Sequence, residues 1–141
     1  MNSAHVHVGR LLELRAETGF RTAQEVDAIF EVIGRELAKI PAHLRSVNVV
    51  DWRRCPIMSA DASQHLLTLM GQYNPRVERS ATLASRESPT TMLQFIRVVR
   101  ETKHPERRVF FDEDELREWL TPLLTPAEAA RLRAFLAYEE P

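Results

Sequence analysis

Residues 46–67 read SVNVVDWRRCPIMSADASQHLL. Val47, Val49 and Val50 form a short apolar run bounded by turn-prone residues, the pattern of a strand buried on both faces. The strand is expected over Ser46–Trp52, with Asp51 near its end as either a solvated loop residue or a bonded carboxylate. A polar connection follows, carrying Arg53, Arg54, Cys55 and Pro56. Ser59 then stands where a helix should begin, and Leu66, Leu69, Met70 and Tyr73 recur with helical spacing up to the Asn74-Pro75 break. Buried strand, loop and amphipathic helix in so short a stretch are the repeating unit of an α/β sheet.

The same alternation extends both ways. Downstream, Val77, Arg79, Ala81 and Leu83 alternate with Glu78, Ser80 and Thr82, which predicts a strand over Val77–Ala84. Ser88-Pro89 supplies a cap and a first-turn proline for a helix expected to bury Met92, Phe95, Ile96 and Val99. Arg107–Phe111 is a short strand, and Asp112 caps a helix presenting Leu116, Trp119 and Leu120. Thr125 and Glu128 form a capping box for a last helix with Leu132, Phe135 and Leu136. Upstream, Val6 with Val8 and Leu12 with Leu14 repeat at period two, and Gly9 marks a turn or bulge between two short strands or a bend in one. Thr22 and Glu25 open a helix whose stripe is Val26, Ile29, Phe30, Ile33, Leu37 and Ile40, ended by Pro41. The expected order is β-β-α-β-α-β-α-β-α-α. It implies a mostly parallel sheet of four to five strands, right-handed crossovers, and one domain over residues 1–141.

Composition narrows the function. With 141 residues, 44% hydrophobic and 28% charged, the chain needs neither disulfide nor metal to fold. Its net charge of −1 gives no global field for nucleic acid. Only Lys39 and Lys103 are lysines, so arginines supply nearly all positive charge. The lone cysteine, Cys55, excludes an internal disulfide, and no Cys/His spacing suits zinc. His5 and His7 alternate as on a strand edge. There is no apolar run of about 20 residues, and MNSAHVHVGR lacks a signal-peptide core, so a cytoplasmic protein without a transmembrane segment is expected. A nucleophile elbow, a phosphate-binding glycine loop and an HExxH pair are all lacking, and there are only four glycines. The acidic run Asp112–Glu115 crowds a helix N-terminus, where capping accounts for it. A non-enzyme without a cofactor is expected.

The order of elements and its punctuation resemble the SpoIIAA-like family, whose fold is that of STAS domains, over most of the chain. The resemblance rests on the Thr22–Glu25 helix start and on VNVVDW leading to the Ser59 helix. It rests also on VERSATLA leading into SPTTMLQF, and on RRVFFDEDELREWL followed by LTPAEAARLRAFL. It is closer to an uncharacterised bacterial branch than to the sporulation members. The resemblance implies a non-catalytic module that works through a protein partner, a kinase or an anti-sigma-type regulator, or through a bound small molecule. In the anti-sigma-factor antagonists a serine at this helix start is phosphorylated, within a signature close to Asp-Ser-Ser-Gly. Those positions fall on Ser59, Ala60, Asp61 and Ala62, so the serine pair is replaced and the nearest serine stands one residue early. Asp61 then stands where a phosphoserine would carry charge.

Ser59 therefore has two readings, helix cap and phosphoacceptor, and Asp61 in the same turn favours the dipole while repelling an incoming anion. In open α/β sheets ligands bind beyond the carboxyl ends of strands, where connections diverge to opposite faces. Two such ends lead into helix starts, Trp52 to Ser59 and Ala84 to Ser88, and their loops carry Arg53, Arg54 and Arg86. Arg53, Arg54, Ser59, Asp61, Arg86 and Ser88 are accordingly the candidate partner- or ligand-binding residues. One alternative is a partner protein on the Ser59 helix and its loop. The other is a small anionic metabolite or lipid held in an enclosed pocket between the two helix starts, by analogy with the related lipid-transfer fold. Cys55 reads as a half-buried small hydrophobe or a reactive thiol, with His65 as its one candidate neighbour. A homodimer through the last two helices is a third form of association.

Overall fold

In the computed structural model, which describes residues 1–137, the chain forms one five-stranded sheet and five α-helices. The strands are β1 (Ser3–His5), β2 (Leu11–Arg15), β3 (Ser46–Asp51), β4 (Val77–Leu83) and β5 (Arg107–Phe110). The helices are α1 (Ala23–Leu37), α2 (Ala60–Tyr73), α3 (Pro89–Glu101), α4 (Glu113–Leu120) and α5 (Pro126–Leu136). The spatial strand order equals the chain order; β1 is antiparallel to β2 and every other pair is parallel. Every residue of β3 is buried, as its valine run requires of a central strand.

This strand order has a topological consequence. Successive right-handed crossovers that always step the same way place their helices on the same face. So α1, α2 and α3 share one core with Leu12, Val50 and Trp52, including Val26, Ile33, Leu66, Met70 and Phe95. Only after β5 does the chain cross over. There α4 and α5 bury Leu116, Leu120, Leu132 and Leu136 against Leu11, Val47, Val49 and Ala81 on the opposite face. Each fully buried aliphatic side chain of this kind contributes about 1.5–3 kcal/mol.

The helix starts are built as expected at Thr22, Ser59, Asp112 and Thr125, each accepting a bond from a first-turn N–H. Ser88 departs from expectation: it occupies the N-cap position of α3, but its side chain makes no cap bond, and Pro89 sets the first turn instead. The face of α3 is also rotated. Phe95 and Val98 are its buried residues, while Met92 and Ile96 are only half-buried. Gly9 makes the β1–β2 turn with φ +58°, and an added Cβ there would lie 2.2 Å from Glu128 Oε2. That carboxylate, itself buried, accepts bonds from the Arg10 and Thr125 N–H groups, pinning α5 to the turn. β1 stops at His5, so His5 and His7 do not share a strand; their rings stack beside the edge, centroids 5.0 Å apart.

Candidate functional site

Both helix starts singled out in the sequence lie on the same face, so the connections leaving β3 and β4 do not diverge. The divergence falls one strand later, between β4, which leads to α3, and β5, which leads to α4. An open recess of ≈ 450 Å³ lies there, lined by Leu83–Glu87, Phe111 and Glu113, with Arg53 and Arg54 from the β3 loop. The structure thus gathers Arg53, Arg54 and Arg86 around one recess. Two glutamates, Glu87 and Glu113, stand among them. At the place where an enclosed pocket was expected, beside Ser88, Cys55 and Met92, the space is only ≈ 10 Å³, about one water.

The three arginines are not equivalent. Arg53 is spent on Asp51: its Nε and Nη2 donate to Asp51 Oδ1 and Oδ2 at 2.9 and 3.1 Å, and Nη2 also donates to the Leu136 carbonyl. Arg15 Nη1 donates to Asp51 Oδ2 at 2.5 Å, and its Nη2 reaches the Phe135 carbonyl. Burial pushes the Asp51 carboxyl up. The bonds and charge of Arg53, with Arg15 behind them, outweigh burial and hold it below its ordinary value. Strand end, loop and the last carbonyls of α5 are therefore one charged joint, so Asp51 is a bonded carboxylate. Arg86 is exposed and stacks on the Phe111 ring at 4.4 Å, a geometry that leaves the guanidinium edge free to bond an oxyanion. Arg54 is exposed at the rim.

Ser59 bonds in two directions. Its hydroxyl oxygen accepts from Ala62 N at 3.1 Å, and its proton is donated to the Arg21 carbonyl at 2.9 Å, tying the start of α2 to the segment before α1. Asp61 is exposed in the first turn of α2, away from the recess lining. Cys55 is buried, and burial pushes its thiol up to about 12, far from the thiolate a reactive cysteine needs. His65 does not meet it; its Nε2 pairs instead with Asp27 Oδ1.

One part of this edge was not singled out in the sequence. Gln94 of α3 clamps the 53–59 loop in both directions: its Oε1 accepts from Met58 N and its Nε2 donates to Met58 O, each at 2.9 Å. The neighbours of those two residues, Ile57 and Leu93, stay 53% and 60% exposed. The signal was present in Ile57, an apolar residue within an otherwise turn-like loop, and in Leu93, which lies outside the stripe of α3. Among the described residues no group of His, Cys, Asp and Glu is arranged to hold a metal, and no helix is long and apolar enough to cross a membrane.

No protein-family model and no curated protein matches the chain. Among solved structures it is similar to an uncharacterized protein of the DUF3478 family with a SpoIIAA-like fold from Shewanella loihica PV-4. The two are 19% identical, the match covers 85% of this chain and 92% of that one, and the TM-score is 0.61. The fold is therefore SpoIIAA-like, as the resemblance implied.

Proposed function

We propose that the chain is a non-catalytic interaction module that docks a partner protein on the surface formed by the 53–59 loop and the first turns of α3. The observation that carries this reading is the pair Ile57 and Leu93. They are two of the four large apolar side chains left exposed among the described residues, and they flank the Met58–Gln94 clamp. Exposed apolar groups held on a hydrogen-bonded mount, with Arg54 in the same loop and Arg86 in the connection that leads into α3, match the anatomy of an interface with an apolar centre and charged surroundings. By resemblance the partner is a kinase or an anti-sigma-type regulator, and an acidic rim on it would complement the two arginines.

The test is quantitative co-purification from the source cells with the wild-type chain, Ile57→Asp and Leu93→Asp. A partner lost from both variants at unchanged melting temperature is the expected outcome. A partner set identical in all three contradicts the reading. A second reading, a small anionic metabolite in the β4–β5 recess, is favoured by the ≈ 450 Å³ of space beside Arg54 and Arg86. It expects inorganic phosphate or a dicarboxylate to raise the melting temperature of the wild type but not of Arg86→Glu.

A further inference from the structure

Seven arginines are half-buried among the described residues, and six of them pair with a carboxylate. Arg10 meets Glu78, Arg15 and Arg53 share Asp51, Arg79 meets Glu106, Arg117 meets Asp114, and Arg131 meets Glu13. Arg107, the first residue of β5, is the seventh, and it has no acidic partner among the described residues. Its Nε donates to Asn74 Oδ1 and its Nη2 to the Met70 carbonyl, each at 3.2 Å. Both acceptors stand at the end of α2 and carry only partial charge. Burial pushes the guanidinium down to about 10 with no carboxylate to restore it, yet leaves it cationic at neutral pH. A cation taken out of water without a counter-charge is costly, and the chain avoids that cost at every other half-buried arginine.

Arg107 lines a cavity of ≈ 60 Å³ between the sheet and the layer of α1, α2 and α3. The walls are otherwise largely apolar, with Leu12, Ile33, Leu66, Met70, Phe95 and Val99 among them. Side chains alternate along β5. Val109 joins Arg107 on this face, whereas the Arg108 guanidinium stands 5.0 Å over the Trp119 ring of α4 on the other. Ser80, in register with Arg107 on β4, adds a hydroxyl to the cavity floor. Asn48 Oδ1 on β3 is sealed off and takes no part. Arg107 Nη1 makes no bond among the described residues, so its donors remain for an oxyanion. An apolar chamber with one uncompensated guanidinium complements one class of molecule, an acid with a single negative head on a hydrocarbon body.

We propose that this cavity binds a short-chain monocarboxylate, its head on the Arg107 guanidinium and a tail of about four carbons between the sheet and α1–α3. The tail length follows from the space, since ≈ 60 Å³ holds about four to six water-sized spheres of about 10–15 Å³ each. β5 is an edge strand and Arg107 is only half-buried, so the carboxylate meets the guanidinium from the sheet edge. The site is separate from the docking surface and from the recess beside Arg86, and it depends on neither.

Pentanoate, pentanamide and acetate test the proposal, because the second lacks the charge and the third lacks the tail. In a titration of the isotope-labelled full chain followed by amide NMR, pentanoate should saturably shift Val50, Ser80, Thr82 and Arg107. Pentanamide should bind at least about tenfold more weakly, the ratio a charge-assisted bond supplies. Acetate should bind about fiftyfold more weakly, for three methylenes no longer removed from water. Arg107→Gln should abolish the preference for pentanoate over pentanamide. Val99→Phe, which fills the cavity from α3, should abolish binding of both. No saturable shift with pentanoate, equal affinity for pentanoate and either other probe, a preference surviving in Arg107→Gln, or binding unchanged in Val99→Phe would each overturn the proposal.

Discussion

Arg53→Ala separates the framework of the carboxyl edge from its surface. In the folded chain the Arg53 side chain makes two charged bonds to Asp51 and one to the Leu136 carbonyl, with Asp51 only 10% and Arg53 31% exposed at the side chain. Breaking a fully buried pair costs about 3–5 kcal/mol. Here the loss is smaller, because Asp51 keeps Arg15 at 2.5 Å and the residue-53 backbone N–H at 3.1 Å, and because Arg53 is partly solvated. About 2 kcal/mol is expected at pH 7, or a melting temperature lower by about 6–8 °C for a chain of this size. The pH dependence supplies the sharper check. The folded Asp51 pKa lies below its unfolded value, so its stabilisation is present above about pH 4 and is lost as pH falls through the folded value. The stability gap between wild type and Arg53→Ala should therefore be widest near neutrality and close on acidification below about pH 4. Urea unfolding at pH 7, 4 and 3 measures it. Arg54→Ala, a change at an exposed rim, should move stability by less than about 1 kcal/mol. An Arg53→Ala midpoint equal to wild type, or a gap that stays constant to pH 3, would refute the assignment of Arg53 to the framework.

Other expectations follow from single contacts. Gly9→Ala should destabilise by at least about 1–2 kcal/mol in chemical denaturation, because φ is +58° and the new Cβ meets Glu128 Oε2. Cys55, buried with its thiol pushed up to about 12, should react with a disulfide reagent at pH 8 only as fast as the chain unfolds, and at once in denaturant. Ser59→Ala should cost about 1–2 kcal/mol, since it removes both the cap to Ala62 N and the bond to the Arg21 carbonyl, while Ser59→Asp should recover the cap alone.

Local pattern carried the elements, and long-range pairing carried the rest. The all-buried β3 and the α2 boundaries were legible because valine alternation, a serine cap and Asn74-Pro75 are local signals. The order of strands in space is not local, so the placement of α1, α2 and α3 on one face, and with it the true point of divergence, was hidden. Arg53 illustrates the same limit. In sequence it is a loop arginine, and its commitment depends on the Leu136 carbonyl, 83 residues away. The shifted phase of α3 arises because Phe95 and Val98 meet the sheet and α2, a tertiary preference that the apolar run MLQFIRVV does not encode uniquely. Asn48 was visible as the one polar residue inside VNVV, but its unpaired oxygen appears only once β4 and α1–α3 are packed around it.

The docking surface is the central claim, and photo-crosslinking from position 57 tests it most directly. The account predicts a discrete adduct with one partner protein from position 57, lost when Leu93→Asp is added. It also predicts no such adduct from position 39, which follows α1 at the opposite, amino-terminal edge of the sheet. The same adducts from both positions, or none from position 57 in cells that contain the partner, would contradict it.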